Sequence, residues 1–218
     1  MQTPVHHTIN NNSFWLSPQR CIFWQEENAI IASDLHLGKT GHFRKSGIAV
    51  PQTVFKEDLQ RLIDLVQSYK AEKLIIAGDL FHSKENKELN LFKKWRHDFP
   101  LLEIHLIKGN HDILKDEWYG ACGITVHKKS YSISGFCFVH DAADADCDAG
   151  TEYYFTGHIH PGIYINGMAR QGLSLPCFYF TPKFAVLPAF SRFTGLFNIK
   201  KSAADAVFAI AEKSVIKI

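Results

Sequence analysis

Short polar clusters follow apolar, strand-like runs at five points of this chain, and this repeated pattern constrains the fold more than any other feature. The clusters are Asp34-Leu35-His36, Gly78-Asp79, Gly109-Asn110-His111-Asp112, His140 and Gly157-His158-Ile159-His160. In open α/β sheets, ligands bind beyond the carboxyl ends of the strands. We therefore expect the five clusters to converge on one site that contains carboxylates, an amide and imidazoles.

Strand and helix patterns alternate in the first half of the chain, whereas short strands dominate after residue 120. Apolar side chains recur at helical spacing in residues 51–69 and 88–98. Strands are expected at 21–24, 29–33, 73–77, 101–107, 131–134, 136–139, 153–156, 163–165, 177–180, 184–187, 207–211 and 214–218. These elements predict an α/β fold in a single domain over residues 1–218, since no Pro/Ser/Gly-rich linker divides the chain.

Composition narrows the function classes. A formal net charge of +2 and a pI near 8.2 do not indicate a globally basic surface, so binding of nucleic acid would need a local patch. No apolar run approaches the ~20 residues of a membrane span, and residues 1–13 lack a signal pattern. The five scattered cysteines include no Cys-x-x-Cys pair. We therefore expect no disulfide framework and a soluble, cytoplasmic protein.

The residue types in the clusters indicate a site for two metal ions. One residue separates Asp34 from His36, and one separates His158 from His160. On an extended segment this spacing directs both side chains of a pair to one face. A carboxylate, amide and imidazole set without thiolate suits Mn, Fe or Zn. Asp79 has two oxygens to share, so we expect it to bridge ions ~3.5–4 Å apart that hold a hydroxide for attack on phosphorus. The glycines that let the backbone turn tightly beside the site are Gly78, Gly109 and Gly157.

These clusters resemble the motif series of the calcineurin-like metallophosphoesterases, which is Asp-x-His, Gly-Asp-x-x-His/Arg, Gly-Asn-His-Asp/Glu, a lone His and Gly-His-x-His. The second motif extends here to His82, and Val139 stands where the superfamily commonly has Gly before the lone His. The resemblance implies a four-layer αββα sandwich of two mixed β-sheets flanked by helices. It implies Asp34, His36, Asp79 and His160 as ligands of one ion, and Asp79, Asn110, His140 and His158 as ligands of the other.

The resemblance also implies roles beside the metal ligands. His111 would point at the substrate and stabilise the transition state or protonate the leaving oxygen, with Asp112 supporting it. His82 would lie near the ligands without binding metal itself. From the residues alone, a basic loop after the first ligands is a candidate for contact with substrate phosphates, and it contains Lys39, His42, Arg44 and Lys45. Trp118 is the tryptophan that we would test as a substrate contact.

Segments outside the metal motifs resemble the PdeM family, the ligase-associated DNA damage response endonucleases of bacteria. These segments are residues 33–39, 42–44, 47–51, 175–178, 187–190 and 193–195. The resemblance implies a Mn-dependent phosphodiesterase or DNA endonuclease in DNA repair. It also implies functional links to a DNA ligase, a helicase and an exonuclease.

Two other functions compete with this one. A small-molecule phosphoesterase of the same superfamily, acting on a nucleotide or a UDP-sugar lipid, would share the start Ser33-Asp34-Leu35-His36-Leu37, but the extra elements that hold acyl chains are not evident. A scaffold without chemistry, as in some retromer subunits, would have lost ligands or the histidine at 111, and this chain retains them. The sequence leaves open the substrate, endo- or exonuclease action, strand preference, the metal and the oligomeric state, a homo-oligomer included.

Overall fold

Two β-sheets form the body of the computed structural model, which describes residues 3–38, 53–82, 86–144, 147, 150–167 and 172–218. Within those residues the first sheet has seven strands, and their spatial order follows the chain. They are β1 (Val5–Ile9), β2 (Asn12–Ser17), β3 (Cys21–Trp24), β4 (Ala29–Ala32), β5 (Lys73–Ala77), β6 (Glu103–Ile107) and β7 (Ile124–His127). Strands β1 to β4 are antiparallel and β4 to β7 are parallel, so the sheet is mixed.

The second sheet is also mixed and has the order β14-β11-β12-β13-β10-β9-β8, with β15 paired to β12 and β16 to β15. Its strands are β8 (Ser130–Ile133), β9 (Phe136–Val139), β10 (Tyr153–Thr156), β11 (Pro161–Asn166), β12 (Gly172–Phe180), β13 (Phe184–Val186), β14 (Phe197–Asn198), β15 (Ala206–Ala211) and β16 (Ser214–Lys217). The central strand β10 is parallel to both neighbours, β9 and β13. The carboxyl ends of β9 and β10 therefore lie at the same edge.

Aromatic side chains fill the space between the two sheets. Phe14 and Trp24 of the first sheet pack against Phe136 of the second, with ring centroids 5.3 and 5.0 Å from it. Phe138 and Phe155 stack on each other 5.3 Å apart. All five are buried, because alternate residues of each strand face inward and these positions are apolar.

Helices cover the outer face of the first sheet. They are α1 (Thr53–Tyr69), α2 (Asn86–Asp98) and α3 (Asp116–Ala121). Their buried side chains, such as Leu62, Phe92 and Tyr119, belong to one apolar cluster with Ile76 and Leu106 of the sheet. In the described part of the chain no α-helix packs on the outer face of the second sheet. The predicted α/β architecture of two mixed sheets with flanking helices is confirmed, and within the described residues the helices lie on the first sheet. No described helix is long and apolar enough to cross a membrane.

The structure contains several elements that periodicity missed, namely β1, β2, β7, β14 and α3.

One cysteine pair also differs from expectation, because Cys137 of β9 forms a disulfide with Cys147, with a Cα–Cα distance of 6.0 Å. The chain returns to β9 after the turn that follows it, and the spacing of ten residues alone does not show this return. This single pair was not predicted, whereas Cys21, Cys122 and Cys177 are free and buried.

Phe155→Ala is expected to destabilise the fold by about 3–5 kcal/mol, because it opens a cavity in the inter-sheet core. Tyr164→Ala is the matched control, since that ring is 51% exposed and its loss should cost well below this. The measurement is the urea midpoint of each variant at constant m-value. Equal midpoints for the two variants would contradict this description of the core.

Candidate metal centre

The ends of four parallel strands bring six of the seven predicted metal ligands together. Asp34 follows β4 by two residues, Asp79 follows β5 by two, His140 directly follows β9, and His158 follows β10 by two. His36 and His160 come from the same segments as Asp34 and His158. The four residues Asp34, His36, Asp79 and His140 are buried, and Asp34 is 0% exposed.

Two overlapping sets of donor atoms occupy this edge. In one set, Nε2 of His160 lies 3.4 Å from Oδ1 of Asp34 and 3.3 Å from Nε2 of His36. In the other, Asp34, Asp79 and His140 offer atoms within 4.8 Å of one another. Oδ2 of Asp79 lies 3.9 Å from Nε2 of His36 and 3.7 Å from Nε2 of His140. Asp34 is the residue that both sets share, and Oδ2 of Asp79 lies near a histidine of each set.

Hydrogen bonds from the backbone orient both carboxylates. Oδ2 of Asp34 accepts the N–H of His158 at 3.0 Å, and Oδ1 of Asp79 accepts the N–H of His111 at 2.8 Å. Each carboxylate thus uses one oxygen for a neighbouring loop and turns the other toward the imidazoles. Nδ1 of His140 lies 3.1 Å from the carbonyl oxygen of Ala77, which directs Nε2 of His140 toward Asp79.

One buried oxygen shows that the donor set fits a cation. Oδ1 of Asp34 makes no hydrogen bond within the described residues, although it is fully buried. Nε2 of His160 lies 3.4 Å from this oxygen and is itself 3.3 Å from Nε2 of His36. A buried carboxylate oxygen without a donor is costly, and a divalent cation among these oxygens and nitrogens would satisfy it.

Five of the predicted ligands have a left-handed backbone conformation. The extended backbone that was expected to direct Asp34 and His36 to one face is therefore not found. Asp34, His36, Asp79, His158 and His160 have φ of 50°, 46°, 52°, 67° and 51°. Their segments are therefore not extended, and the period of two of a strand does not explain why paired side chains share a direction. Positive φ is uncommon for residues other than glycine and costs about 1–3 kcal/mol each when strained, so surrounding contacts must hold these loops.

The three motif glycines make room for the ligands. A Cβ built on any of them would come closer than 3.0 Å to a ligand side chain, a distance that real Cβ atoms essentially never show. The glycines and the side chains they would meet are Gly78 with His140, Gly109 with Asp79, and Gly157 with Asp34. Only Gly78 among them also has a positive φ, of 84°. Close approach, more than freedom to turn, is thus the requirement at Gly109 and Gly157.

Comparison with known proteins agrees with this geometry. The sequence profile described as calcineurin-like phosphoesterase matches residues 28–161, which is more than half of the chain. The chain belongs to the calcineurin-like phosphoesterase family. The resemblance inferred from the motifs is confirmed, and the protein is a metal-dependent phosphoesterase. All six converging residues lie within the matched segment.

Solved structures place this phosphoesterase beside a nuclease. The crystal structure of the Pseudomonas putida nuclease MPE superposes with a TM-score of 0.82 at 26% identity, covering 99% of this chain and 100% of that one. The phosphoesterase Yfce of E. coli gives a TM-score of 0.45 at 13% identity, covering 87% and 97%. No curated protein sequence matches significantly.

Charge in the phosphoesterase site is balanced between carboxylates and imidazoles. Burial opposes ionisation of Asp34, but the neighbouring His160, His140 and His36 outweigh it and hold the pKa of this carboxyl below its usual value. At Asp112 burial dominates and raises the pKa to about 6, although backbone N–H donors oppose the rise. Asp112 lies near the carboxylate of Asp79, whose charge adds to this shift.

Asp112 joins two of the motif loops. Its Oδ1 accepts N–H groups of Leu80 at 3.0 Å and Phe81 at 3.2 Å, and the hydroxyl of Tyr119 at 3.3 Å. Its Oδ2 accepts the N–H of Gly109 at 2.9 Å. Asp112 therefore holds the backbone of the loop that contains His111, and the described contacts include none between the two side chains.

The remaining predicted residues differ in where they lie. His111 is exposed, and its ring centroid is 4.2 Å from that of His82 and 5.5 Å from that of His36. Asn110 is exposed, and its side chain makes no hydrogen bond with the residues that the structure describes. Trp118 packs edge-on against Phe81 in the apolar cluster under the helices, 5.2 Å between centroids. The predicted substrate contacts lie outside the described residues, and they are Lys39, His42, Arg44 and Lys45.

Sequence reasoning missed one acidic neighbour of the site. Asp141 directly follows His140, and its Oδ2 lies 3.6 Å from Nε2 of His158. By its charge alone, the acidic stretch at 141–148 indicates an exposed, solvated loop. The position of Asp141 directly after His140 could have indicated this, because the chain neighbour of a ligand at a strand end must lie beside the site.

Gly109→Ala is expected to weaken metal binding by roughly 10- to 100-fold, because the added methyl group would displace the Asp79 carboxylate. Gly195→Ala is the matched control, since a Cβ there meets nothing within 4 Å. Metal content of both proteins after dialysis against limiting metal measures the effect, and circular dichroism checks that both fold. Full metal content in Gly109→Ala would refute the close-approach role.

Proposed function

We propose that this phosphoesterase is a two-metal phosphodiesterase that cleaves nucleic acid, and that DNA is its substrate. The position of Oδ2 of Asp79 near a histidine of each donor set, 3.9 Å from Nε2 of His36 and 3.7 Å from Nε2 of His140, carries the two-metal part of the proposal. The full-length likeness to a nuclease at 26% identity supports the nucleic-acid part. Because a phosphodiester is a single anionic group between two nucleosides, a pair of cations at one strand edge suits it.

The proposed ligands divide around Asp79. One ion would be held by Asp34, His36, Asp79 and His160, and the other by Asp79, Asn110, His140 and His158. Oxygen and nitrogen donors without thiolate favour Mn, with Fe or Zn as the other candidates. Asn110 would complete the second set from the exposed side, where its amide has no competing partner among the described residues. Two such ions would supply Lewis-acid stabilisation of the phosphoryl oxygens and activation of water.

His111 is the catalytic acid in this proposal. It is exposed, its backbone N–H donates to Asp79, and its ring centroid lies 5.5 Å from that of the predicted ligand His36. A histidine at the mouth can donate a proton to the leaving oxygen as the phosphorus–oxygen bond breaks. Asp112 positions this loop, and His82 packs its ring against that of His111.

The biological setting stays a prediction. DNA repair and the links with a DNA ligase, a helicase and an exonuclease rest on the resemblance. The cytoplasmic location and phosphate contacts by the basic loop rest on the residues alone, and a homo-oligomer stays open. The competing small-molecule phosphoesterase differs in substrate only, so substrate tests distinguish them.

His111→Ala is expected to keep both ions but to lower kcat by about 10²–10⁴-fold, the usual contribution of a general acid. Asp79→Asn is the contrasting variant and should lose metal from both sets, because it removes the shared carboxylate. Metal analysis and kcat on bis-p-nitrophenyl phosphate are measured together. Loss of metal from His111→Ala would make His111 a ligand and overturn its assignment as acid.

Circular single-stranded DNA tests the substrate directly. The Mn-reconstituted protein is expected to linearise it, because an endonuclease needs no strand end. Hydrolysis of bis-p-nitrophenyl phosphate under the same conditions is the control for an active metal centre. An active centre that leaves all DNA uncut would assign the protein to the small-molecule phosphoesterases.

A further inference from the structure

An apolar cavity of about 290 Å³ adjoins the metal centre on the outer face of the second sheet. Its floor consists of outward-facing strand positions, Thr156 of β10, Tyr179 of β12 and Val186 of β13, whose sequence neighbours Phe155, Phe178 and Ala185 point into the inter-sheet core. This is the face on which no described α-helix packs. The volume is at the lower end of ligand pockets, about 300–1,000 Å³, and suits one flat ring system.

The cavity and the metal centre share the same two chain segments. Asp141, which directly follows the lone histidine, and Gly157, which directly precedes His158, both line the cavity. Ile159, between the two histidines of the last motif, is also part of the lining. The N–H of Gly157 donates to the carbonyl of His140 at 3.0 Å, which ties the two segments together. A group bound in the cavity is therefore held next to the metal ligands.

An exposed phenylalanine stands at the rim on the metal side. Phe197 of β14 is 62% exposed, yet its N–H donates to the carbonyl of the ligand His160 at 3.0 Å. Ile159, 39% exposed, also lies at the rim. Lys200 adds a positive charge to the lining and is exposed. Exposed apolar side chains beside a cluster of metal ligands are costly in water and indicate a binding surface.

We infer that this cavity binds the base of a nucleotide next to the scissile phosphodiester, after that base has left its stack. The inference rests on the proposed function and adds a base subsite to it. The ring of Phe197 offers a face on which any base can stack, the apolar floor receives the ring of the base, and Lys200 contacts a neighbouring phosphate. A paired base would first have to break its pairing and stacking to enter.

A thermodynamic cycle tests the inference. The substrates are a set of single-stranded oligonucleotides, each with one abasic residue at a different position, and both wild type and Phe197→Ala are assayed on every one. For wild type, we expect an abasic residue at one particular position relative to the cut to lower kcat/KM by about 5- to 100-fold, the contribution of one stacked base. Phe197→Ala should cause a similar loss on the intact strand and little further loss on that abasic strand, because both changes remove the same contact. If Phe197→Ala lowers kcat/KM on that abasic strand by the same factor as on the intact strand, the two contacts are independent and the inference is overturned.

The variants are chosen to leave the core intact. Phe197 lies on a two-residue edge strand, so its truncation opens no buried space. Phe193→Ala, at a ring 42% exposed outside the cavity lining, is the matched aromatic control and should cleave as wild type. Lys200→Gln should make the salt dependence of binding shallower by about one unit of slope, whereas Lys213→Gln on the β15–β16 turn should not.

A binding measurement separates failure of the inference from failure of the proposed function. The full chain, with metal removed by chelation so that no strand is cut, is titrated into single-stranded DNA that contains 2-aminopurine. A fluorescence change that Phe197→Ala abolishes supports the base pocket even if no phosphodiester is ever cut. An enzyme that hydrolyses bis-p-nitrophenyl phosphate but shows no such change would overturn the base pocket and leave the phosphoesterase activity intact.

Discussion

The site depends on how the two oxygens of each buried carboxylate are used: one accepts a backbone N–H, and the other faces the imidazoles. Asp79 gives one oxygen to the loop of His111 and the other to His36 and His140. Asp34 repeats the arrangement with the N–H of His158. Each carboxylate thereby joins segments from distant parts of the sequence, and the position of one loop fixes the position of the next.

This arrangement requires the two sheets to meet at one edge. The first sheet contributes the loops after β4, β5 and β6, and the second contributes those after β9 and β10. The aromatic layer between the sheets, around Phe14, Trp24 and Phe155, holds the edges in register. A shift of one sheet along the other would separate Asp79 from His140, so core packing and the metal centre depend on the same contact between sheets.

Much of this was predictable from the sequence, because the clusters are local. Strands β5, β9 and β10 have apolar runs that end at a polar motif, and the periodicity found them, as well as β3, with correct bounds. The missed elements carry weaker signals. In β1, the residues His6-His7-Thr8 are polar or half-polar, and their strand character comes from pairing with β2. The backbone conformation of Asp34 and His36 was not predictable, since tertiary hydrogen bonds and not local propensity hold it.

The unusual backbone of the ligand loops has a consequence for the history of such a chain. Five of the predicted ligands occupy conformations that glycine or asparagine would adopt at lower cost, and Asp34 buries a carboxylate oxygen that makes no hydrogen bond within the described residues. The metal-free fold would therefore gain stability from losing the residues that make it useful. In a lineage without selection for catalysis, substitutions of these histidines would raise the stability of the fold and would be expected early, leaving an inert two-sheet scaffold. In an active lineage, selection for catalysis must retain the histidines although they lower the stability of the metal-free fold.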